Sequence, residues 1–418
     1  MFDCPQLPAD FYAAHPVLTH IRRAAHAQAN PVAADAVLGV CLARVAAIVP
    51  LGTTLPGVGG TVNLIVGIVG PPGAGKSTAH RLARKLIPDL GTLTLDSVPI
   101  GSGEGMVEAY LRQSTRKIDG ENYKEKVQSS ESAYFYVDEA EGFINRTKSD
   151  HSTTLATMRT MWSGTDAGAR NAQVETSRHL RDGEYRFALV MGFQPTYATE
   201  LLGRDKDGTP QRFLWVSALD RTVPDVPESD PGPLTVRVPA PGGVWVDREV
   251  LRLVGDRRRR VVRGELTLGS LDAHRDFLQL RTAYLLAILC GDHAGVSASW
   301  WTLAARMLDT SAGIVQALRD DARREAIAEK VAAIEDRLET DEIREEKDAQ
   351  RLGGNLLRYA IEVSRPATFA ALRRRLSSTD RRKLGTLYAN DDEAAADDMV
   401  RRGYLRRTED NYYLPGSG

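Results

Sequence analysis

Apolar residues recur at helical spacing from Pro16 to Val49, with Val17, Ile21 and Ala24 and then Ala36, Leu38, Val45 and Ile48 building apolar faces. Pro50, Gly52 and Pro56 end that stretch. The run from Thr61 to Val69 is short and nearly all apolar, as a central parallel strand covered on both faces should be. A helix is expected over Ser77 to Leu86, a β-like piece over Thr92 to Leu95, and further buried strands over Ala133 to Val137, Tyr185 to Phe193 and Phe213 to Val216. The polar region from about Arg112 to Ser130 gives no assignable pattern. Helical sequence between the strands predicts an α/β fold with a parallel sheet.

Prolines crowd together from Val223 to Gly243 and mark the end of that core. Asp272 to Glu346 is helical in pattern and closes on a charged run, Arg319 to Lys347, of the kind a long solvated helix shows; Gly353-Gly354 should break it. The remaining residues suggest helices at Leu356 to Val363, Ala367 to Leu376 and Glu393 to Gly403, then a strand pair at Tyr404 to Arg407 and Tyr412 to Leu414, the order of a winged helix-turn-helix. The expected organisation is therefore a helical segment (1–60), an α/β core (61–222), a proline-rich connector (223–265), a helical lid with the charged helix (266–352) and a winged helix (353–418).

The length of 418 residues agrees with two or three cooperating domains, and 42% apolar with 26% charged residues excludes fibrous and wholly disordered classes. A formal charge of -1 leaves no global field for a polyanion, so any nucleic-acid site must be a local patch. Cys4, Cys41 and Cys290 are isolated and suggest neither a disulfide framework nor a zinc site. The N-terminus lacks a secretory pattern, and the most apolar stretches are interrupted by Arg44 or too short to span a bilayer. These features predict a cytoplasmic protein with no membrane partner.

The strongest chemical signal is Gly70-Pro71-Pro72-Gly73-Ala74-Gly75-Lys76-Ser77-Thr78, which fits the P-loop pattern between an apolar strand and a helix. Its glycines let backbone N–H groups cradle a β-phosphate while the helix N-terminus faces the same charge. Lys76 would reach the β- and γ-oxygens, and Ser77 would place its hydroxyl on Mg²⁺. The ligand expected is therefore ATP with Mg²⁺; the histidines show no ligand spacing for another metal.

Hydrolysis also needs carboxylates at a strand end. Asp138 and Glu139 follow an apolar strand, Asp138 suited to hold magnesium and Glu139 to act as general base. Gln194, after the Tyr185 to Phe193 strand, stands where a polar sensor of the γ-phosphate would; the alternative is a turn glutamine before Pro195. Arg212, before the Phe213 strand, is the candidate for the arginine that neutralises transition-state charge, often supplied by a neighbouring subunit. A structural salt bridge, or Arg204 in its place, are the competing readings.

In order along the chain, Asn63 to Thr78, Gly101-Ser-Gly-Glu-Gly105, Val137-Asp-Glu-Ala-Glu-Gly142, Gly192-Phe-Gln-Pro195 and Gly208 to Trp215 resemble helicase-like P-loop ATPases of bacterial prophages, plasmids and integrative elements. That family is similar to AAA+ and superfamily-three helicases and is often joined to a primase-polymerase. The resemblance covers roughly residues 15 to 310. It implies an AAA+-like P-loop NTPase core, a homo-oligomeric (hexameric) ring around single-stranded or forked DNA, and a primase or polymerase partner; no primase domain is expected in this chain. It matches Arg212 to the finger arginine. It also places Arg170, Arg178, His179 and Arg181 on a hairpin before the sensor strand that points into the pore, where phosphate contacts would be sequence-independent; solvated arginines are the alternative.

In the terminal segment Arg373, Arg374 and Arg375, with Arg381, Arg382 and Lys383, form a basic cluster suited to duplex DNA, although such domains also dock proteins. The Asp256 to Arg260 patch carries no assigned role. The expected function is an ATP-hydrolysing DNA helicase or translocase for replication of a mobile element. The alternative is an AAA+ ATPase that loads or remodels protein partners on DNA, with the winged domain as its dock.

Overall fold

Five short runs rich in branched and aromatic residues build the central sheet of this computed structural model, which describes residues 4–56, 60–118, 121–148, 153–171, 173, 177–204, 207–269 and 272–417. The chain forms two compact units, 1–323 and 324–418.

In the first unit, helices α1 (Ala9–Ala13), α2 (Pro16–His26) and α3 (Ala34–Ile48) precede strand β1 (Leu64–Val69), helix α4 (Lys76–Leu86) and strand β2 (Thr94–Val98). Then come α5 (Gly103–Glu108), the antiparallel hairpin β3 (Leu111–Ile118) and β4 (Glu121–Gln128), β5 (Ser132–Val137), α6 (Ala140–Arg146) and α7 (Thr154–Ser163). A second hairpin, β6 (Ala167–Ala169) and β7 (Arg178–Leu180), leads to β8 (Arg186–Phe193), α8 (Pro195–Leu202), a 3₁₀ turn (Pro210–Arg212) and β9 (Phe213–Ser217). Helices α9 (Arg248–Val262), α10 (Arg275–Leu289) and α11 (Ala298–Val363) follow.

The sheet is five-stranded, ordered β2-β5-β8-β1-β9, and each neighbouring pair is parallel. The expected α/β class with a parallel sheet is what forms. Strands β1, β8 and β9 are buried throughout, as their nearly all-apolar runs demand, with Arg186 and Ser217 the buried polar exceptions at strand ends. Helix α3 covers one face at Gly39, where a Cβ would lie 3.0 Å from Val66 and 3.1 Å from Val216, so the glycine permits close helix-sheet approach. Phe213 and Trp215 alternate to the opposite face and line a pocket with Leu308, Ser311 and Val315 of α11.

Buried arginines tie segments to this sheet. Arg44 of α3 donates to the Ile87 carbonyl at 2.8 Å and pairs with Asp96 of β2 at 3.0 Å, which explains a charge within the apolar stretch Ala36 to Ile48 of that helix. Arg186 donates to the carbonyls of Val49 and Pro50, and Arg281 of α10 to those of Asn63 and Trp162.

Three local expectations need correction. The unassigned region is the β3–β4 hairpin, paired from Leu111↔Gln128 to Ile118↔Glu121. The proline-rich connector segment contains helix α9 after its prolines. Gly353-Gly354 does not break the charged helix: α11 runs through it, because a Cβ on Gly353 would meet the Tyr404 ring at 2.2 Å and only glycine lets that ring pack there.

The second unit comprises the later part of α11, helices α12 (Phe369–Arg375), α13 (Ser378–Leu387) and α14 (Asp392–Arg401), and the antiparallel pair β10 (Leu405–Arg407) and β11 (Tyr413–Pro415). Leu352, Leu356, Phe369, Leu372, Leu384, Met399, Leu405 and Tyr413 form its own core. Helix α13 was not expected; its charged sequence buries only Leu384 and Gly385. Among the described residues no helix is long and apolar enough to cross a membrane.

Candidate nucleotide site

The turn after β1 is shaped by two glycines. Gly73 and Gly75 both sit at φ +78°, a left-handed conformation that disfavours side chains. Gly70 packs so closely on Ala218 that a Cβ would lie 2.7 Å from the Ala218 Cβ. The turn is anchored to the sheet by Gly70 N–H donating to the Phe193 carbonyl at 3.1 Å, and Ala79 N–H donating to Gly75 O opens helix α4. Pro71, Pro72 and Ala74 fill the intervening positions, with Pro72 and Gly73 exposed.

Lys76, half-buried at the start of α4, donates from Nζ to the carbonyls of Gly70 at 2.8 Å and Pro71 at 2.9 Å. Burial lowers its pKa, and Glu139 and then Asp138 pull it back up, so both carboxylates act on this ammonium. Ser77 and Thr78 occupy the first turn of the same helix.

The parallel ladder brings the acids to the same edge. Val69 pairs with Phe193, and Val137 pairs with Met191, so the C-terminal ends of β1, β8 and β5 lie side by side. Asp138 and Glu139 leave β5 there, both exposed, with Glu139 at the N-cap of α6. Gln194 leaves β8 between them and the glycine turn, at the N-cap of α8. Gly192 is the pivot: a Cβ there would lie 2.3 Å from the Asp138 carbonyl oxygen and 3.6 Å from Lys76 Cδ.

Sequence reasoning missed two neighbours of this site. Tyr136 donates its hydroxyl to Asp138 Oδ1 at 2.6 Å. The His80 ring of α4 stacks on Tyr136, with centroids 3.5 Å apart and planes 4° from parallel. Burial holds His80 neutral, its pKa lowered to about 4 with Arg84 and Arg44 adding to the effect. The signal was present in the spacing: Tyr136 and Asp138 share a strand face, and His80 stands one helical turn after Lys76.

Against models of known protein families and against curated proteins, the chain finds no match.

Arg212 is not part of this cluster. Phe213 pairs with Ile65 and Ser217 with Val69, so Arg212 precedes the opposite end of β9, about 16 Å along the strand from the glycine turn. Its guanidinium donates to the Gly208 carbonyl and lies 5.2 Å from the Trp162 ring centroid; burial, then Arg159, lower its pKa to about 10. Arg204 donates to Thr147.

The β6–β7 hairpin carries Arg178 and His179, with Arg170 and Arg181 just outside its strands. Glu108 of α5 binds Arg178 at 2.8 Å and Lys126 of β4 at 2.7 Å, so one carboxylate joins both hairpins. A groove of about 440 Å³ lined by Lys126, Gln128, Arg170, His179 and Arg181 lies beside it. Residues 172 and 174–176 of the hairpin loop lie outside the described residues.

In the second unit Arg373 pairs with Asp392, Arg375 with Glu362 at 3.4 Å and Lys383 with Asp348 at 2.8 Å, while Arg374 donates to the Ala370 carbonyl. The Gly101 to Gly105 segment forms the start of α5, N-capped by Ser102, with Gly103 against Thr157 of α7.

Proposed function

We propose that this chain is an ATP-hydrolysing, ring-forming DNA helicase or translocase that serves replication of a mobile genetic element, built on an AAA+-like P-loop core with a C-terminal winged helix. The observation that carries the reading is the meeting of Lys76 with Asp138 and Glu139 at one sheet edge, across the strand that delivers Gln194. Residues far apart in sequence, of the types that ATP hydrolysis would need, lie together there, and none of them belongs to the hydrophobic core.

The donor set fits a hard, oxygen-seeking cation: one hydroxyl from Ser77 and a carboxylate from Asp138, with phosphate oxygens and water completing the shell, suit Mg²⁺. When bound, Mg²⁺ would neutralise charge on the β- and γ-phosphate oxygens. Lys76 would move its ammonium from the loop carbonyls to those phosphates. Glu139 would accept a proton from the attacking water, and Gln194 would orient that water or the γ-phosphate. Arg212, too far along β9 to reach its own chain's glycine turn, would serve a neighbouring subunit's site. Arg170, Arg178, His179 and Arg181 would offer salt-sensitive contacts to single-stranded DNA, Arg178, His179 and Arg181 by exchanging their partners Glu108, Asp166 and Glu184 for phosphates.

One observation favours a second reading, an ATPase that loads or remodels protein partners on DNA. The ion pairs of Arg373, Arg375 and Lys383 consume charge that duplex contact would use, which suits a protein dock. ATPase rates with forked DNA separate the two: stimulation by DNA supports the translocase, whereas indifference to single-stranded and forked DNA rejects it.

A further inference from the structure

Every residue from 324 to 347 of α11 is exposed, yet this stretch holds a straight line of large aliphatic side chains. Ile327 is 56% exposed, Val331 49%, Ile334 59% and Leu338 59%. Their spacings of four, three and four residues put them on one seam of a seven-residue repeat, over about 16 Å of helix. A solvated helix has no need of such a seam; polar residues would serve all round.

We propose that this seam is a parallel coiled-coil contact between copies of this chain. With Val331 and Leu338 as a positions and Ile327 and Ile334 as d positions, the flanking g positions are Lys330 and Arg337, and the following e positions are Glu335 and Glu342. In a parallel in-register coil, each g side chain meets the partner's next e side chain. Lys330 then faces Glu335 of the partner subunit, and Arg337 faces Glu342 of the partner subunit. In an antiparallel coil, g would face g and e would face e, setting cation against cation and acid against acid. The charge pattern therefore selects both the occupant, another copy of the same helix, and its direction. Isoleucine at both d positions favours three or more helices over two. The acids Asp341 and Glu345 take the next d and a positions, which ends the seam. This contact stands independently of nucleotide hydrolysis.

Cys4, Cys41 and Cys290 are buried, so an engineered surface cysteine in the full-length chain is the reactive thiol. Under mild oxidation, Ile334→Cys at d and Leu338→Cys at a should each form same-residue disulfides between chains several-fold faster than Asp336→Cys, which points away from the seam at f. Reversing Lys330→Glu and Arg337→Glu together should suppress the Ile334→Cys disulfide, and adding Glu335→Lys with Glu342→Lys should restore it. Sedimentation equilibrium should give a mass above that of a dimer for the unmodified chain. Equal cross-linking at 334 and 336, or cross-linking indifferent to charge reversal, overturns the proposal. So does the absence of disulfides at both 334 and 338, which would mean that the seam is covered by its own chain or by a different protein.

Discussion

The Tyr136 hydroxyl donates to Asp138 Oδ1 at 2.6 Å, while the Tyr136 ring lies flat against His80 from the helix that begins with Lys76. The carboxylate expected to hold the metal is thus oriented by a residue braced on the helix expected to face the phosphates. Removing that hydroxyl leaves the stack in place and frees the carboxylate to rotate. Tyr136→Phe should raise the Mg²⁺ concentration for half-maximal ATP hydrolysis about tenfold, the equivalent of one charge-assisted hydrogen bond. Affinity for ATP in EDTA should not change, and titration of a fluorescent ATP analogue with and without Mg²⁺ measures both. A loss of metal-free binding would make Tyr136 merely structural.

Glu139→Gln keeps the shape of the proposed base and removes its proton affinity. ATP should still bind, and turnover should fall by about 10²–10⁴-fold, the usual contribution of a general base. A filter-binding assay beside phosphate release separates the two; near-normal turnover would remove Glu139 from the mechanism.

His80 makes a pH prediction with a definite sign. Its folded pKa is about 4 against an ordinary 6.5, so between these values the unfolded chain takes up a proton that the folded chain refuses. Its contribution to stability is complete above pH 6.5 and is lost as the pH falls toward 4. His80→Phe, which preserves a stacked ring, should flatten the dependence of unfolding free energy on pH in that window by up to about 1.4 kcal/mol per pH unit. Urea unfolding at several pH values checks this, and parallel curves for the two proteins would contradict it.

Much of this architecture was legible before the fold was known, because strands buried on both faces write themselves as continuous apolar runs. Leu64–Val69 and Arg186–Phe193 were visible on that basis. The glycine turn was legible because positive φ and close approach to Ala218 leave few alternatives to glycine. The β3–β4 hairpin was not, since its strands are polar on both faces and offer no alternation; the Asp119-Gly120 dipeptide between them was its one turn signal. The continuity of α11 was missed for the opposite reason. Gly353 reads as a breaker, and the Tyr404 ring that requires it lies 51 residues away in sequence.

Arg212 tests the assembly. Its place at the far end of β9 predicts that Arg212→Ala abolishes hydrolysis while leaving ATP binding intact. Mixing it with Lys76→Ala should restore part of the activity, because an interface that sets the nucleotide site of an Arg212→Ala subunit against the arginine of a Lys76→Ala subunit is intact in both parts. No recovery at any ratio, with assembly preserved, would make Arg212 a structural residue held by Gly208 and Trp162.

If the turn between β1 and α4 grips a triphosphate that Asp138 and Glu139 help to cleave, the protein must hydrolyse ATP. Release of inorganic phosphate from Mg²⁺–ATP by the purified full-length chain, compared with Lys76→Ala, tests it most directly. The unaltered protein should release phosphate steadily, and Lys76→Ala should lose both nucleotide binding and release. Phosphate release that survives Lys76→Ala undiminished, or an unaltered protein that neither binds ATP nor cleaves it, would contradict it.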